Sequence, residues 1–483
     1  MMTKELPRII QGGMGIGVSS WQLARSVSRA GQLGVVSGTA LDVVVARRLQ
    51  DGDLGGSIRR ALEHFPDPSM ADRVLARYYK SAGRSSGQPY RPVPKLTLRQ
   101  SRADQELTVV SNFVDVWLAK QGHHGVVGIN YLEKVQMATP AAAFGAILAD
   151  VDYVLMGAGV PREIPRLLTD LAHGRTGGVN IDVVGAAAEE RHRVEVTPGD
   201  LFGVPLPALR RPTFLAIVSA SVLAAYLARD EATRPDGFVV ETPDAGGHNA
   251  PPRGRLVMDP TNQPVYGPRD QVDPAKMAAL GIPFWLAGGY STPDRVDQAV
   301  AAGAAGVQVG TLFALAEESG LTADLRTRMH DELARDALTV RTDVRASPTG
   351  FPFKVAQLPG TLAEPPIYEA RSRICDLGYL RTPYRTEHGD IGYRCPSEPT
   401  HMYVRKGGDV EATVDRQCLC NALTANIGLG QVRRDGSTEP ALLTLGTDLD
   451  GARQLATRHP GGWTATEAID WLNRTGPRSA SAG

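Results

Sequence analysis

PFWLAGGYSTPDRVDQAVAAGAAGVQVGTLF, residues 283–313, carries two short apolar runs, Phe284 to Ala287 and Gly306 to Val309, each closed by glycine. Short continuous apolar runs bounded by glycine suit parallel strands buried on both faces. Between them Thr292 stands as a candidate N-cap, with Pro293 at the first helical position and Asp294 in the first turn. Val296, Ala299, Val300 and Gly303 then recur at i, i+3, i+4 and i+7, one small face to lay against a sheet. The unit reads strand, Gly288-Gly289, helix, strand, Gly310-Thr311. Both glycine ends fall at the C-terminal ends of neighbouring parallel strands. Glycine lets backbone approach an anion closely, and the N–H groups entering the next helix point at it. One Gly-Gly pair alone would read as a tight turn; two such ends one βαβ unit apart point to a phosphate.

Composition narrows the setting. With 483 residues, 42% hydrophobic and 22% charged, the chain has ample material for a core. Its 52 basic and 52 acidic residues balance, so no charge excess draws it to nucleic acid or an anionic membrane. No apolar run reaches membrane-spanning length, and MMTKELPRII lacks an apolar signal core. Four cysteines in so long a chain make no disulfide framework, which leads us to expect a cytoplasmic setting with reduced thiols. A homo-oligomer stays open.

Outward from the opening unit, strand and helix alternate. A short strand at Arg8 to Ile10 runs into Gln11-Gly12-Gly13-Met14-Gly15-Ile16-Gly17, then a helix begins at Trp21 and closes at Gly31. Further strands are expected at 33–36, 126–130, 151–155, 214–218 and 237–240. The glycine spacing after the first strand imitates a dinucleotide fingerprint, but no acidic residue closes the second strand. A loop letting backbone approach a flat ring fits better. Eight βα units favour a closed (β/α)8 barrel over an open sheet. Residues 50–110 break the rhythm and read as an insertion above or beside the barrel, a candidate lid; 179–184 and 193–197 read as a decorating hairpin.

The sixth strand leaves through Glu241-Thr242-Pro243-Asp244-Ala245-Gly246-Gly247-His248. A histidine at the catalytic face of a barrel can move a proton near neutral pH. A lone loop histidine more often only bonds backbone; the position of His248 favours chemistry. His123, His124 and His173 lack such a setting and are read as structural, and Lys134 and Lys354 have no better claim.

Gln11-Gly12-Gly13-Met14-Gly15, Ala245-Gly246-Gly247-His248, Leu286-Ala287-Gly288-Gly289 and Val307-Gln308-Val309-Gly310-Thr311 together resemble the nitronate monooxygenases, formerly 2-nitropropane dioxygenases. The same motifs occur in trans-acting enoyl reductases of polyketide and polyunsaturated fatty acid synthases. The resemblance spans about residues 7–316 and implies an FMN-binding (β/α)8 barrel. It implies that Gly288, Gly289, Gly310 and Thr311 hold the FMN phosphate. Gly12, Gly13, Met14, Asn130, Gly247 and Gln308 would then contact the flavin, and His248 would be the base toward a nitroalkane. After His248 the chain departs from many nitronate enzymes with Asn249-Ala250-Pro251-Pro252-Arg253-Gly254, a longer polar loop nearer the enoyl reductase branch.

Beyond Ser319 the helix 323–337 can still pack on the barrel, and 338–483 is expected to form a C-terminal subdomain that the resemblance does not explain. It holds all the cysteines, Cys375, Cys395, Cys418 and Cys420. Four thiolates are the number a zinc or iron–sulfur site needs, but CxxC pairs are absent; buried thiols and a redox pair stay open beside a metal. Turns are expected at 403–408 and 421–430, a last helix at 464–472, and disorder at 478–483.

Three functions follow. The first is an FMN oxidoreductase of the nitronate monooxygenase type, oxidising a nitronate or similar small anion with O2. The second is an NAD(P)H-dependent enoyl reductase acting on an activated double bond, carrier-bound or free. The third is a barrel that binds a phosphorylated small molecule without redox chemistry.

Overall fold

The structure, a computed structural model, describes residues 6–474, so the expectation for 478–483 lies outside the described residues. Its centre is a ring of eight parallel strands. They are β1 (Ile9–Gln11), β2 (Gly34–Ser37), β3 (Val127–Leu132), β4 (Tyr153–Gly157), β5 (Thr213–Val218), β6 (Gly237–Glu241), β7 (Phe284–Ala287) and β8 (Gly306–Val309). From β2 to β8 each strand pairs with the next in sequence, and β8 pairs with β1. The seam between β1 and β2 closes through a bridge from Ile10 to Leu33, with Gln11 N–H donating to Leu33 O at 3.0 Å. Strand β1 is too short to complete this ladder, and glutamine side chains finish it: Gln32 Oε1 accepts from Ile9 N–H and Gln11 Oε1 from Val35 N–H. The fold is the (β/α)8 barrel that eight units required.

Two apolar layers follow from the two-residue period of the strands. Ile10, Val35, Tyr153, Leu155, Leu215, Ile217, Val239, Trp285 and Ala287 fill the barrel as one buried cluster. Their sequence neighbours, such as Val154, Phe214, Phe238 and Leu286, face the surrounding helices in a second cluster. Each fully buried aliphatic or aromatic side chain contributes roughly 1.5–3 kcal/mol. The barrel interior is therefore a solid plug, and ligands can enter only from its ends.

The helix expected after β7 spans Pro293–Ala301, but Thr292 makes no side-chain cap bond, and Val300 is exposed while Val296 and Ala299 are buried. The insertion is shorter than the expected 50–110. Helices Ser57–Leu62 and Pro68–Tyr78 belong to it, whereas Arg102–Ala119 is a long helix of the layer around the barrel. It starts at a capping box of Ser101 and Asp104 and packs tightly on Thr139–Leu148, where a Cβ on Gly145 would lie 2.1 Å from Val109 O. Residues 90–98 dock on the C-terminal region through Tyr90 N–H to Gln431, Lys95 to Cys375 O and Leu98 N–H to Tyr393. The decorating hairpin pairs Gly177–Asn180 with Arg193–Val196; beyond it Val184 pairs with Pro383 and Arg385 instead.

The C-terminal region wraps the barrel and shares its core. Leu358, Leu442, Leu455 and Trp463 lie in the same buried cluster as the outer barrel residues. Trp463 Nε1 donates to Leu312 O at 2.7 Å, and Trp471 Nε1 to Ser291 O at 3.0 Å. The segments expected as turns, 403–408 and 421–430, begin in short helices Thr400–Arg405 and Leu419–Ala425 and turn only after them. The last helix, Ala465–Leu472, is capped by Thr464 with Glu467 in a capping box. No described helix is long and apolar enough to cross a membrane.

Candidate functional site

Strand register decides which side chains meet at the C-terminal end of the barrel. Asn130 pairs with the inward Leu155, Gln308 with the inward Ile10 and Ala287, and Glu241 with Ala287. All three polar side chains therefore cap the apolar plug. Asn130 Oδ1 and Gln308 Oε1 are buried without a hydrogen-bond partner among the described residues. An unpaired buried amide oxygen costs about 1–3 kcal/mol, and here two share one floor. That pattern fits a bound ring carrying its own donors.

Glycines give the ring its room. A Cβ on Gly13 would lie 2.2 Å from Asn130 Cβ, so only glycine lets Asn130 occupy its place. A Cβ on Gly288, at φ +86°, would lie 2.4 Å from Thr242 Oγ1. Gly12, Gly13, Met14, Asn130, Gly247, Gly288, Gly289, Gln308, Gly310 and Thr311 all line one cleft of about 170 Å³. The structure thus brings together every residue expected at a cofactor. The N–H groups of Gly289 and Gly310 donate to no protein acceptor among the described residues, leaving them to an anion. Thr311 Oγ1 accepts from Gly446 N–H at 3.1 Å and keeps its own proton to donate.

The glycine end carries an acidic rim. Measured from a Cβ built on Gly289, Asp448 Oδ2 lies at 3.5 Å and Asp244 Oδ2 at 3.7 Å. Asp244 accepts from Thr447 Oγ1, and Asp448 caps Asp450 N–H. An anion bound here would have to be held by backbone dipoles against two nearby carboxylates.

Beside the cleft opens a chamber of about 150 Å³, lined by His248, Asn130 and Glu241 together with apolar residues. His248 Nε2 lies 2.7 Å from Ser347 Oγ, and its ring meets Phe353 edge-on at 4.9 Å. Among the described residues no hydrogen bond reaches Nδ1, the nitrogen left for a proton. Burial, and then the charge of Lys134, push the imidazole down to about 3, so it is neutral at pH 7. Burial holds the Lys134 ammonium down at about 8, and it donates to Ala158 O at 2.9 Å. Lys134 thus bears on the site after all. Lys354 Nζ is tied to Thr342 Oγ1, while its N–H holds Gly247 O. His123 and His173 bond backbone carbonyls of Ala119 and Thr169, as expected of structural residues.

The missed part of the site is its far wall. Phe353, Tyr379, Leu380, Leu419, Cys420 and Leu423 line the chamber, Thr444 holds Gly247 N–H at 2.8 Å, and Leu445 abuts Gly246. All come from the C-terminal region, and no local motif announces them. The four cysteines are unpaired, and burial raises every thiol, Cys395 to about 12 and Cys418 to about 11. No group of three or more metal-ligating residues is arranged for an ion among the described residues. Cys395 and Cys418 are buried, and Cys375 and Cys420 are half-buried. A separate surface depression of about 590 Å³ lies at the opposite barrel end beside Arg211, Asp236 and Pro283, away from all these groups.

Residues 187–351 match the family model described as nitronate monooxygenase. That match spans three of the four glycine motifs and bears out the resemblance, and with it the reading of the chain as a flavin-dependent oxidoreductase. No curated protein matches the chain. Among solved structures, FabK from Thermotoga maritima is similar at 15% identity and a TM-score of 0.47, covering 97% of this chain and 91% of that one. A nitroalkane oxidase from Streptomyces ansochromogenes is similar at 15% identity and a TM-score of 0.44, covering 98% and 96%. The enoyl reductase domain of MlnA from Bacillus amyloliquefaciens is similar at 11% identity and a TM-score of 0.38, covering 74% and 64%.

Proposed function

We propose that the protein is an FMN-dependent oxidoreductase of the nitronate monooxygenase type, with His248 as its base and O2 as the terminal acceptor. The observation that carries this reading is the floor of unpaired Asn130 and Gln308 oxygens beside the glycine cradle. Bound there, a flavin supplies the electron acceptor that no side chain of the barrel can provide. Asn130, Gln308, Gly12, Gly13, Met14 and Gly247 would hold the ring, and Gly288, Gly289, Gly310 and Thr311 the phosphate. The four unpaired thiols suit work in a reducing compartment such as a cytoplasm.

The chain's own chemistry is proton transfer. His248 enters neutral, anchored at Nε2 by Ser347, so Nδ1 can take the proton from the carbon beside a nitro group. The same burial that keeps it neutral opposes the imidazolium, so the proton must be passed on quickly. The Lys134 charge that disfavours the imidazolium favours the substrate anion formed with it.

One observation favours the second reading. The lining of the chamber includes no lysine or arginine and is mostly apolar, which suits a neutral substrate with an alkyl or acyl body better than a small anion. An NAD(P)H-dependent reductase of an activated double bond is therefore the alternative. Anaerobic titration of the flavin-loaded protein separates them. Bleaching by an alkyl nitronate with inertness to NADPH supports the monooxygenase, and bleaching by NADPH supports the reductase.

A further inference from the structure

Glu241 ends β6, and its register opposite Ala287 turns the side chain inward, onto the polar floor between Asn130 and Gln308. Among the described residues its carboxyl makes no hydrogen bond and no ion pair. It also lines three spaces at once: the glycine cleft, the His248 chamber and a small outer pocket beside Ser219, Asn249 and Arg253. Asn130 and Gln308 can each offer fixed donors and acceptors. A carboxyl alone on this floor changes from acceptor to donor by gaining a proton.

We propose that Glu241 is the proton-exchanging group of the barrel floor: its carboxylate takes a proton from the outer pocket as negative charge gathers on a flavin in the cleft, and returns it as that charge leaves. The inference rests on the flavin reading and adds to it a residue with no assigned role. The exchange balances as one proton moving from solvent to a carboxylate oxygen and back, with one O–H bond formed and then broken and no other bond changed on the protein. Such an exchange keeps a buried, growing charge from standing uncompensated.

The charged surroundings leave the carboxyl free to titrate. Asp244, Asp448 and Tyr290 share the cleft with it, His248, Tyr131, Tyr379 and Cys420 the chamber, and Arg253, Asp270 and Tyr266 the outer pocket. None of them moves it; burial alone raises it, to about 7. The carboxyl is thus mostly protonated at about pH 6 and mostly ionised at about pH 8.

The test is the flavin midpoint potential of the wild-type and Glu241→Gln holoenzymes at about pH 6 and about pH 8, on either side of that titration. Glutamine copies the neutral acid in shape. The two potentials should coincide at the lower pH, and the wild-type value should fall below the variant's at the higher pH, where the carboxylate opposes electron uptake. An equal offset at both pH values, or none at either, overturns the proposal. Infrared difference spectra of the two apoproteins over the same range give a readout that needs no flavin. A protonated carboxyl band that vanishes on raising the pH, and is missing in the variant, supports the proposal; no such band overturns it. Failure of both proteins to take up a flavin would instead strike the flavin reading, and the infrared band would still report on Glu241.

Discussion

Replacing Asn130 by leucine should move stability and cofactor affinity in opposite directions. Asn130 Oδ1 is buried without a partner in the cofactor-free chain, at a cost of about 1–3 kcal/mol. Leucine keeps the branch at Cγ that sits against Gly13 and removes the orphaned oxygen, so apoprotein stability should rise by about 1–2 kcal/mol. A chain of this length has an unfolding entropy near 1 kcal/mol per kelvin, which makes the gain about 1–2 °C in Tm. With FMN present the sign reverses. A lost hydrogen bond of about 0.5–1.5 kcal/mol weakens binding roughly two- to tenfold. Thermal unfolding of the apoprotein and fluorescence titration with FMN measure the two effects separately. A variant that is less stable without FMN, yet binds FMN as wild type does, would refute the reasoning, because Asn130 would then be a packing residue.

The remaining predictions concern charge. His248→Asn should slow oxidation of a neutral nitroalkane about 100-fold or more, the usual contribution of a general base, and slow a pre-ionised nitronate far less; equal losses would count against the base role. Because burial lowers the folded His248 pKa to about 3, its neutral burial supports stability fully above pH 6.5, and that support is lost as pH falls from 6.5 toward 3. Urea unfolding of wild type should therefore weaken across that window, and His248→Asn should weaken less. Asp448→Asn keeps an oxygen to cap Asp450 N–H and removes a charge from the glycine end, so FMN should bind more tightly by about 1 kcal/mol, roughly fivefold, in low salt. An unchanged or weaker affinity by calorimetry would place the phosphate elsewhere.

The barrel was legible because buried parallel strands leave plain marks: apolar runs, glycine ends and a regular rhythm. The residues expected at a cofactor came mainly from the family resemblance of their glycine motifs, and the closed ring brings them to one cleft. Helix Arg102–Ala119 was hidden because Thr108, Asn112 and Asp115 lie buried on it, which blurs the contrast between its faces. The inward turn of Glu241 depends on the closed register of eight strands, a property of the whole ring. Phe353, Tyr379 and Leu419 reach the site by long-range packing of the C-terminal wrap, for which adjacent sequence holds no signal. The role of the cysteines is not legible in the sequence, because four thiols close together resemble a ligand set without its CxxC spacing; the fold leaves Cys395 and Cys418 buried and Cys375 and Cys420 half-buried, all unpaired.

The most direct test of the central claim is titration of the apoprotein with FMN and, in parallel, with riboflavin. The floor of Asn130 and Gln308 acts on the ring common to both, whereas the Gly288, Gly289, Gly310 and Thr311 cradle acts on the phosphate alone. The account predicts a yellow complex with each, and FMN binding at least about tenfold tighter, the worth of about 1.4 kcal/mol in charge-assisted hydrogen bonds. Equal affinities, or no flavin complex at all, would contradict it.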